Sequence, residues 1–376
     1  MPGSGRAGGV GSAGGADSAG DAGAGCGRPV IVVAVAPGLR EEFFGAGEPG
    51  VDGMNGVDAV NGEPGGVERL RAVGEVVLVD DPTDVDALRT ALVGADVVVS
   101  SWGMPRLTGE LLAAADRVGL LAHTGAAISP YVGPDAFARG VRVTQAGQGM
   151  ARSVAEVALA FTLALLHRTH RFDHALRGGL EWEHASVAPP RHEVLGSRIG
   201  VVGASRTGRA YIDVVRALGA RVRVADPTLT VEGARDLGVE LVDLDTLLAT
   251  SRIVALHAPS LPETRHLIGA RELALLPDGA GLVNTARSWL VDERALLAEL
   301  STARIDAALD VYDDEPLPVD HPLRAMPNVL LTPHRAAGTV ECRRRQGDIV
   351  VDEVTRYLTG RPLAHEVGPD ALVRVG

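Results

Sequence analysis

The chain has 376 residues, of which 46% are hydrophobic and only 3% aromatic; that is enough for roughly two to three domains with cores of Val, Leu, Ala and Ile. Its formal net charge of -12 repels nucleic acid and anionic membrane surfaces, so neither is expected as a partner. All 36 basic residues are arginine, which excludes chemistry that requires lysine: an internal Schiff base to pyridoxal phosphate, a P-loop lysine or a kinase ATP-pairing lysine.

Residues 1–27 are almost all Gly, Ala, Ser and Asp and read as a disordered tail, because they cannot bury enough apolar surface to offset their ordering entropy. Val30 to Ala36 reads as a first strand rather than a signal-peptide core, being short and followed by Pro37. Residues 45–66 repeat the Gly-rich character of the tail and read as a flexible insertion. Strands then follow at Glu75 to Asp80, Asp96 to Ser101, Val118 to His123 and Val141 to Thr144, with helical segments such as Val85 to Leu92 and Leu107 to Ala115 between them. This alternation implies a parallel sheet covered on both faces.

Ser153-Val154-Ala155-Glu156 reads as a capping box opening a nearly all-apolar helix through Val157, Phe161, Leu165 and Leu166. Such a helix must be buried on several sides, so it is taken as the domain junction and as the contact of a homodimer through residues 153–166. The apolar run Val157 to Leu166 is shorter than the about 20 residues a bilayer needs, so no membrane span is expected. His167, His170 and His174 share a helix face but are not assigned as a metal site. A second series of strands follows at Arg198 to Gly203, Ala220 to Ala225, Arg252 to His257, Ala280 to Asn284, Ile305 to Asp310 and Val329 to Thr332. This is the pattern of a doubly wound sheet, and a last helix is placed at Thr339 to Leu358. Arg343-Arg344-Arg345 on that helix reads as a solvated face. Cys26 and Cys342 are in no disulfide or zinc-ligand pattern, which fits a reducing cytoplasm.

The first motif with chemical content is RIGVVGASRTGRAYIDVVRAL from Arg198. A strand ends at Gly203, Ser205-Arg206-Thr207-Gly208 turn into a helix, and Asp226 closes the next strand. Glycine allows the tight turn, helix N-terminal amides suit a pyrophosphate, and a carboxylate suits ribose hydroxyls, so the segment reads as a dinucleotide fingerprint with Ser205 in place of its second glycine. Arg223 should project from the face of its strand opposite Asp226. A strand–helix turn with no ligand is the alternative.

Three later segments, HAPSLPETRHLIG from His257, ALDVYDDEPLP from Ala308 and PNVLLTPHRAAG from Pro327, complete a pattern that resembles the D-isomer-specific 2-hydroxyacid dehydrogenases over residues 28–365. The resemblance implies two Rossmann-like α/β domains: a nucleotide domain at 151–334 inserted into a flavodoxin-like substrate domain made of 28–150 and 335–376. It implies NAD as cofactor and a small 2-keto or 2-hydroxy acid as substrate. Its catalytic residues fall on Arg287 in Asn284-Thr285-Ala286-Arg287, Glu315 in Asp310-Val311-Tyr312-Asp313-Asp314-Glu315-Pro316, and His334 in Thr332-Pro333-His334. Further cofactor contacts are implied at His257, Pro259, Ala286, Asp310 and Ala336, and a backbone cradle for the substrate carboxylate at Thr124, Gly125 and Ala126, with Trp102 as a pocket wall. Ser288-Trp289 and Arg335 depart from the family pattern beside the triad, and Gln145 and Met150 do so before the junction helix.

The triad also makes chemical sense by itself. Histidine can donate a proton to a carbonyl oxygen as charge builds there, a neighbouring carboxylate stabilises the imidazolium, and a guanidinium binds a carboxylate without losing its own proton. An NAD-sensing, corepressor-like protein on the same fold remains the alternative from another class.

Overall fold

Strands buried on both faces need apolar residues at every position, and this chain supplies them in two separate sets. The computed structural model describes residues 27–46 and 64–373; the tail and the insertion, with Cys26, lie almost wholly outside the described residues. The first sheet is built from β1 (Val30–Ala34), β2 (Glu75–Val79), β3 (Val97–Ser100), β4 (Leu120–His123) and β5 (Arg142–Gln145). The second holds β6 (Arg198–Val202), β7 (Arg221–Ala225), β8 (Glu240–Leu241), β9 (Ile253–Leu256), β10 (Gly281–Asn284), β11 (Asp306–Leu309) and β12 (Val329–Leu331). After the helix Val340–Leu358, β13 (Glu366–Val367) returns to the first sheet and pairs antiparallel with β5.

The strand orders are β13-β5-β4-β3-β1-β2 and β12-β11-β10-β9-β6-β7-β8, parallel apart from β13. Each order reverses beside its first strand, and in open α/β sheets ligands sit at the carboxyl ends of the strands at that reversal. In the second sheet the reversal lies between β6 and β9, so the turn after Val202 and the segment after Leu256 face each other. The returning helix Val340–Leu358 closes the first sheet, placing Val350, Val351 and Val354 in one core with Ile31, Val33 and Leu120. The chain thus crosses between the sheets twice, before β6 and after β12.

Several expectations change in the folded chain. Residues Gly147–His167 form 21 continuous helical residues, long and apolar enough to cross a bilayer by length and composition, which the shorter run read from sequence did not show. The helix is instead part of the nucleotide-domain core, with Ala155, Ala158, Phe161, Leu165 and Leu166 packed against Tyr211, Ile212 and Val215. It begins two residues before the supposed cap: the α-helix is Ala151–His167, and Ser153 is no cap but donates its hydroxyl hydrogen to the Ala336 carbonyl at 2.6 Å. β8 and β13 are two-residue ladders, too short to show any periodicity in sequence.

Candidate active site

The nucleotide turn is shaped by two glycines that nothing else could replace. Gly203 has φ +94°, and a Cβ on it would lie 2.6 Å from Ala258 N; a Cβ on Gly208 would overlap the Gly203 carbonyl. Ser205 is the N-cap of helix Arg206–Ala217, accepting from Gly208 N–H at 3.3 Å and lying 3.0 Å from Thr207 Oγ1. A serine in place of the second glycine therefore keeps the helix start intact by capping it. Asp226 accepts from Ala204 N–H at 2.7 Å and from Thr228 N–H and hydroxyl at 2.8 and 2.7 Å. Burial works against its charge, but these hydrogen bonds prevail and hold its pKa below the ordinary aspartate value. The carboxylate is thus ionised and oriented beside the turn. Arg223 is drawn away from it, to Glu240 Oε2 at 2.8 Å and to the Thr250 hydroxyl. These features fit an NAD cofactor: close backbone approach at the glycines, a helix N-terminus at the turn, and a fixed carboxylate for ribose.

His257 sits behind the turn. Its ring is fully buried against Tyr211 with neither nitrogen hydrogen-bonded, and burial pushes its pKa down to about 3. Its own backbone N–H donates to Val202 O at 2.8 Å, so it fixes the spacing of β6 and β9, while Pro259 two residues on is exposed.

The expected triad converges at the ends of β10, β11 and β12. His334 Nδ1 lies 2.7 Å from Glu315 Oε2, both groups partly open to solvent. A cavity of about 600 Å³ beside them is lined by both residues together with Tyr312, Arg324 and Thr332. Arg287 lies in the turn after β10, where Asn284 clamps the backbone: its Nδ2 donates to Arg287 O at 2.9 Å and its Oδ1 accepts from Ala286 N–H at 3.0 Å. Burial lowers the Arg287 pKa from the ordinary arginine value while the Glu315 charge opposes that, so the two groups sense one another. A guanidinium keeps its proton under such conditions.

Asp310 organises the histidine loop. Buried, it accepts from the Thr332 hydroxyl and from the backbone N–H of Arg335 and Ala336, both at 2.9 Å. Three donors on one carboxylate fix the loop on which His334 takes φ +52°. Asp310 and the Ala336 amide are thereby committed to holding the loop. Sequence reasoning did not single out Thr332, Ser153 or Asn284 for these contacts, although Asn284 and Thr332 stood inside the quoted motifs.

In the first domain, Trp102 is partly exposed, stacked on Phe43 with ring centroids 5.8 Å apart and edge-on to His123. Thr124 is buried: its amide donates to Ser100 O at 3.0 Å, its hydroxyl to Ser101 Oγ at 2.8 Å, and its carbonyl accepts from Gln346 Nε2 at 2.6 Å. Its amide is therefore engaged in the fold, which leaves Gly125 and Ala126 of the expected cradle. Cβ on Gly147 would lie 2.7 Å from Ala126 Cβ and 2.9 Å from Arg206 Nη2. The nucleotide turn thus reaches the cradle across the domain boundary through Arg206.

The arginine run on the last helix is not a solvated face. Arg343 is buried, with its guanidinium 4.6 Å from the Trp102 ring and 5.1 Å from that of Phe43, and Arg345 Nε donates to Gly149 O at 3.2 Å. The returning helix turns this side toward the first domain, so it packs rather than faces water. Trp289 donates to Leu261 O at 2.9 Å under the Arg265 guanidinium, and Arg335 is exposed.

Comparison with known proteins identifies the family. Residues 159–336 match the model of the D-isomer specific 2-hydroxyacid dehydrogenase NAD binding domain. A hydroxypyruvate reductase from Thermotoga maritima is 31% identical over 288 residues, 76% of this chain and 92% of the relative. The chain belongs to the D-isomer-specific 2-hydroxyacid dehydrogenase family. D-3-phosphoglycerate dehydrogenase of Mycobacterium tuberculosis is 37% identical over 303 residues, 80% of this chain but 55% of the relative. The chain thus spans about half the length of the phosphoglycerate dehydrogenases it matches. The structure of a D-2-hydroxyisocaproate dehydrogenase, 21% identical, has the same fold with a TM-score of 0.75 over 90% of this chain and 99% of that one. In this 2-hydroxyacid dehydrogenase family member, the nucleotide turn and the triad strand ends lie within the matched domain.

Proposed function

We propose that this protein interconverts a small 2-keto acid and its D-2-hydroxy acid with NAD(H). The observation that carries the reading is the His334–Glu315 pair at 2.7 Å on the wall of an open cavity, with a half-buried Arg287 whose guanidinium senses the Glu315 charge. His334 Nε2, the ring nitrogen away from Glu315, is the atom that gives a proton to the carbonyl oxygen in reduction and takes it back in oxidation. Glu315 holds the imidazole by Nδ1 and stabilises its charged form. Arg287 binds the substrate carboxylate and polarises the carbonyl beside it. Asp310 and Asn284 position the loops that carry these groups. A nicotinamide, when bound, would supply or accept the hydride. Gly203 to Gly208 and Asp226 would hold its pyrophosphate and ribose, and Trp102 with Gly125 and Ala126 would close the acid end of the cleft.

The relatives named for hydroxypyruvate, glyoxylate and D-3-phosphoglycerate favour a short substrate. Purified protein with NADH and a panel of 2-keto acids that includes glyoxylate, hydroxypyruvate and the phosphorylated three-carbon keto acid tests the reading by loss of NADH absorbance. Turnover with at least one member, abolished by Arg287→Gln, is the expected result. Failure of every member, with NADH shown to bind, would sink it.

A further inference from the structure

At the N-terminal edge of the second sheet, roughly 15 Å from the glycine turn by the length of a five-residue strand, lies an arginine cluster that the proposed chemistry does not use. Arg198 opens β6, Arg252 immediately precedes β9, and Gly279 and Ala280 lead into β10. Parallel pairing of these neighbouring strands brings all of them to one edge. A cavity of about 140 Å³ there is bounded by Arg168, His192, Arg198 and Arg252 together with the Gly279 segment. It adjoins a more open depression that shares His192, Arg198 and Arg252 and adds Arg191.

The charges around this cavity do not balance. Arg168 is 3% exposed; its Nη1 pairs with Asp306 and its Nη2 donates to Gly279 O at 2.6 Å, but its Nε has no hydrogen-bond partner. Asp306 is already shared: Arg171 also pairs with it, and His170 Nε2 lies 3.0 Å away. Arg198 Nε donates to the Thr250 carbonyl at 2.6 Å, a neutral partner. Arg252 has neither a side-chain hydrogen bond nor an ion pair among the described residues. One carboxylate, Asp278, lines the cavity itself, its side chain largely exposed and 3.4 Å from Arg304, and Glu193 stands on the rim of the open depression. Burial followed by the Arg198 and Arg168 charges lowers the Arg252 pKa, and burial followed by the Arg252 and Arg168 charges lowers that of His192. These groups therefore face one another. In a chain with a net charge of -12, a concave site in which Arg198 and Arg252 have no carboxylate partner among the described residues and Arg168 shares Asp306 with Arg171 is a local reversal of the protein's field, and such a site draws an anion.

We propose that this cavity binds a phosphate group, either free phosphate or the phosphate of a small phosphorylated metabolite, held between Arg252, Arg198 and Arg168. The guanidinium groups of Arg252 and Arg198, with the unpartnered Nε of Arg168, suit a tetrahedral oxyanion, and the inner cavity is too small for a nucleotide.

Calorimetric titration and thermal melts of the full chain test this with inorganic phosphate, with glycerol phosphate, and with chloride at matched ionic strength. Phosphate or its ester should bind saturably and raise the melting temperature where chloride does not; the tighter of the two identifies the source. Arg252→Gln and Arg198→Gln should each weaken binding by about tenfold or more, as expected for loss of a charged hydrogen bond. Arg287→Gln, in the catalytic cleft, should leave it unchanged. Binding no different from chloride, or retained in both Arg252→Gln and Arg198→Gln, overturns the proposal. So does binding abolished by Arg287→Gln alone, which would place the anion in the catalytic cleft. The readout needs no turnover, so it stands or falls apart from the keto-acid panel.

Discussion

His334 occupies a left-handed backbone conformation at φ +52°, which costs a non-glycine residue on the order of 1 kcal/mol. The Asp310 carboxylate, with three donors from the same loop, holds that conformation in place. The imidazole so presented is the only group proposed to move the proton. His334→Ala should therefore lower turnover by about 100-fold or more while NADH binding, followed by fluorescence titration, stays intact; comparable loss of both would make it a structural residue. Asp226 tests the cofactor in the same way. Its ionised carboxylate suits ribose hydroxyls and repels a 2'-phosphate, so NADH should be preferred, and Asp226→Ser should narrow or reverse the preference in kcat/KM. Equal use of NADH and NADPH by the unaltered protein would remove Asp226 as the discriminator.

Among the helices, Ala151–His167 was the expected dimer contact because of its greasy circumference. Folding covers most of that surface within the chain, leaving Arg152, Glu156, Ala160 and His167 exposed along one stripe. The apolar side chains left open lie instead on the arm that follows. Trp182 is 73% and Val187 81% exposed, with Leu176, Leu180 and Leu195 nearby in sequence. Exposed apolar side chains of this kind are what a second copy of the chain would cover. Light scattering should give a homodimer, and Trp182→Glu with Val187→Glu should yield a monomer. Dimers broken by Ala160→Glu but not by the arm variant would return the contact to the long helix.

Across the whole molecule, acid should act through buried histidines before it acts through carboxylates. Burial holds both His123 and His257 at about 3, far below an ordinary histidine. The folded chain thus binds fewer protons than the unfolded one between pH 6.5 and 3, so their contribution is complete above pH 6.5 and is lost as the pH falls. One unit below 6.5, each amounts to roughly 1.4 kcal/mol. Asp306, held at about 2, adds its loss only below about pH 4: burial disfavours its charge, but His170, Arg171 and Arg168 outweigh that. Melting temperature should therefore fall between pH 7.5 and 5, and His257→Leu should flatten that slope. An unchanged slope would show that His257 does not carry it.

The α/β class, the two series of strands and the nucleotide turn could be read from residue types and their spacing, since buried parallel strands and glycine turns leave local marks; the three triad positions were implied only by the family resemblance. Helix Val85–Leu92 ends where it was placed from sequence, capped by Asp84. What depended on distant segments could not be read that way. The returning helix decides that Arg343 packs over Trp102, and the pairing of β6, β9 and β10 decides that Arg198, Arg252 and Gly279 share an edge. Asp310 gathers the histidine loop, and Ser153 reaches Ala336 across 183 residues of chain. A side chain's local pattern fixes its strand or helix, but its partner is set by which surfaces the sheet order brings together, and that is a property of the whole fold.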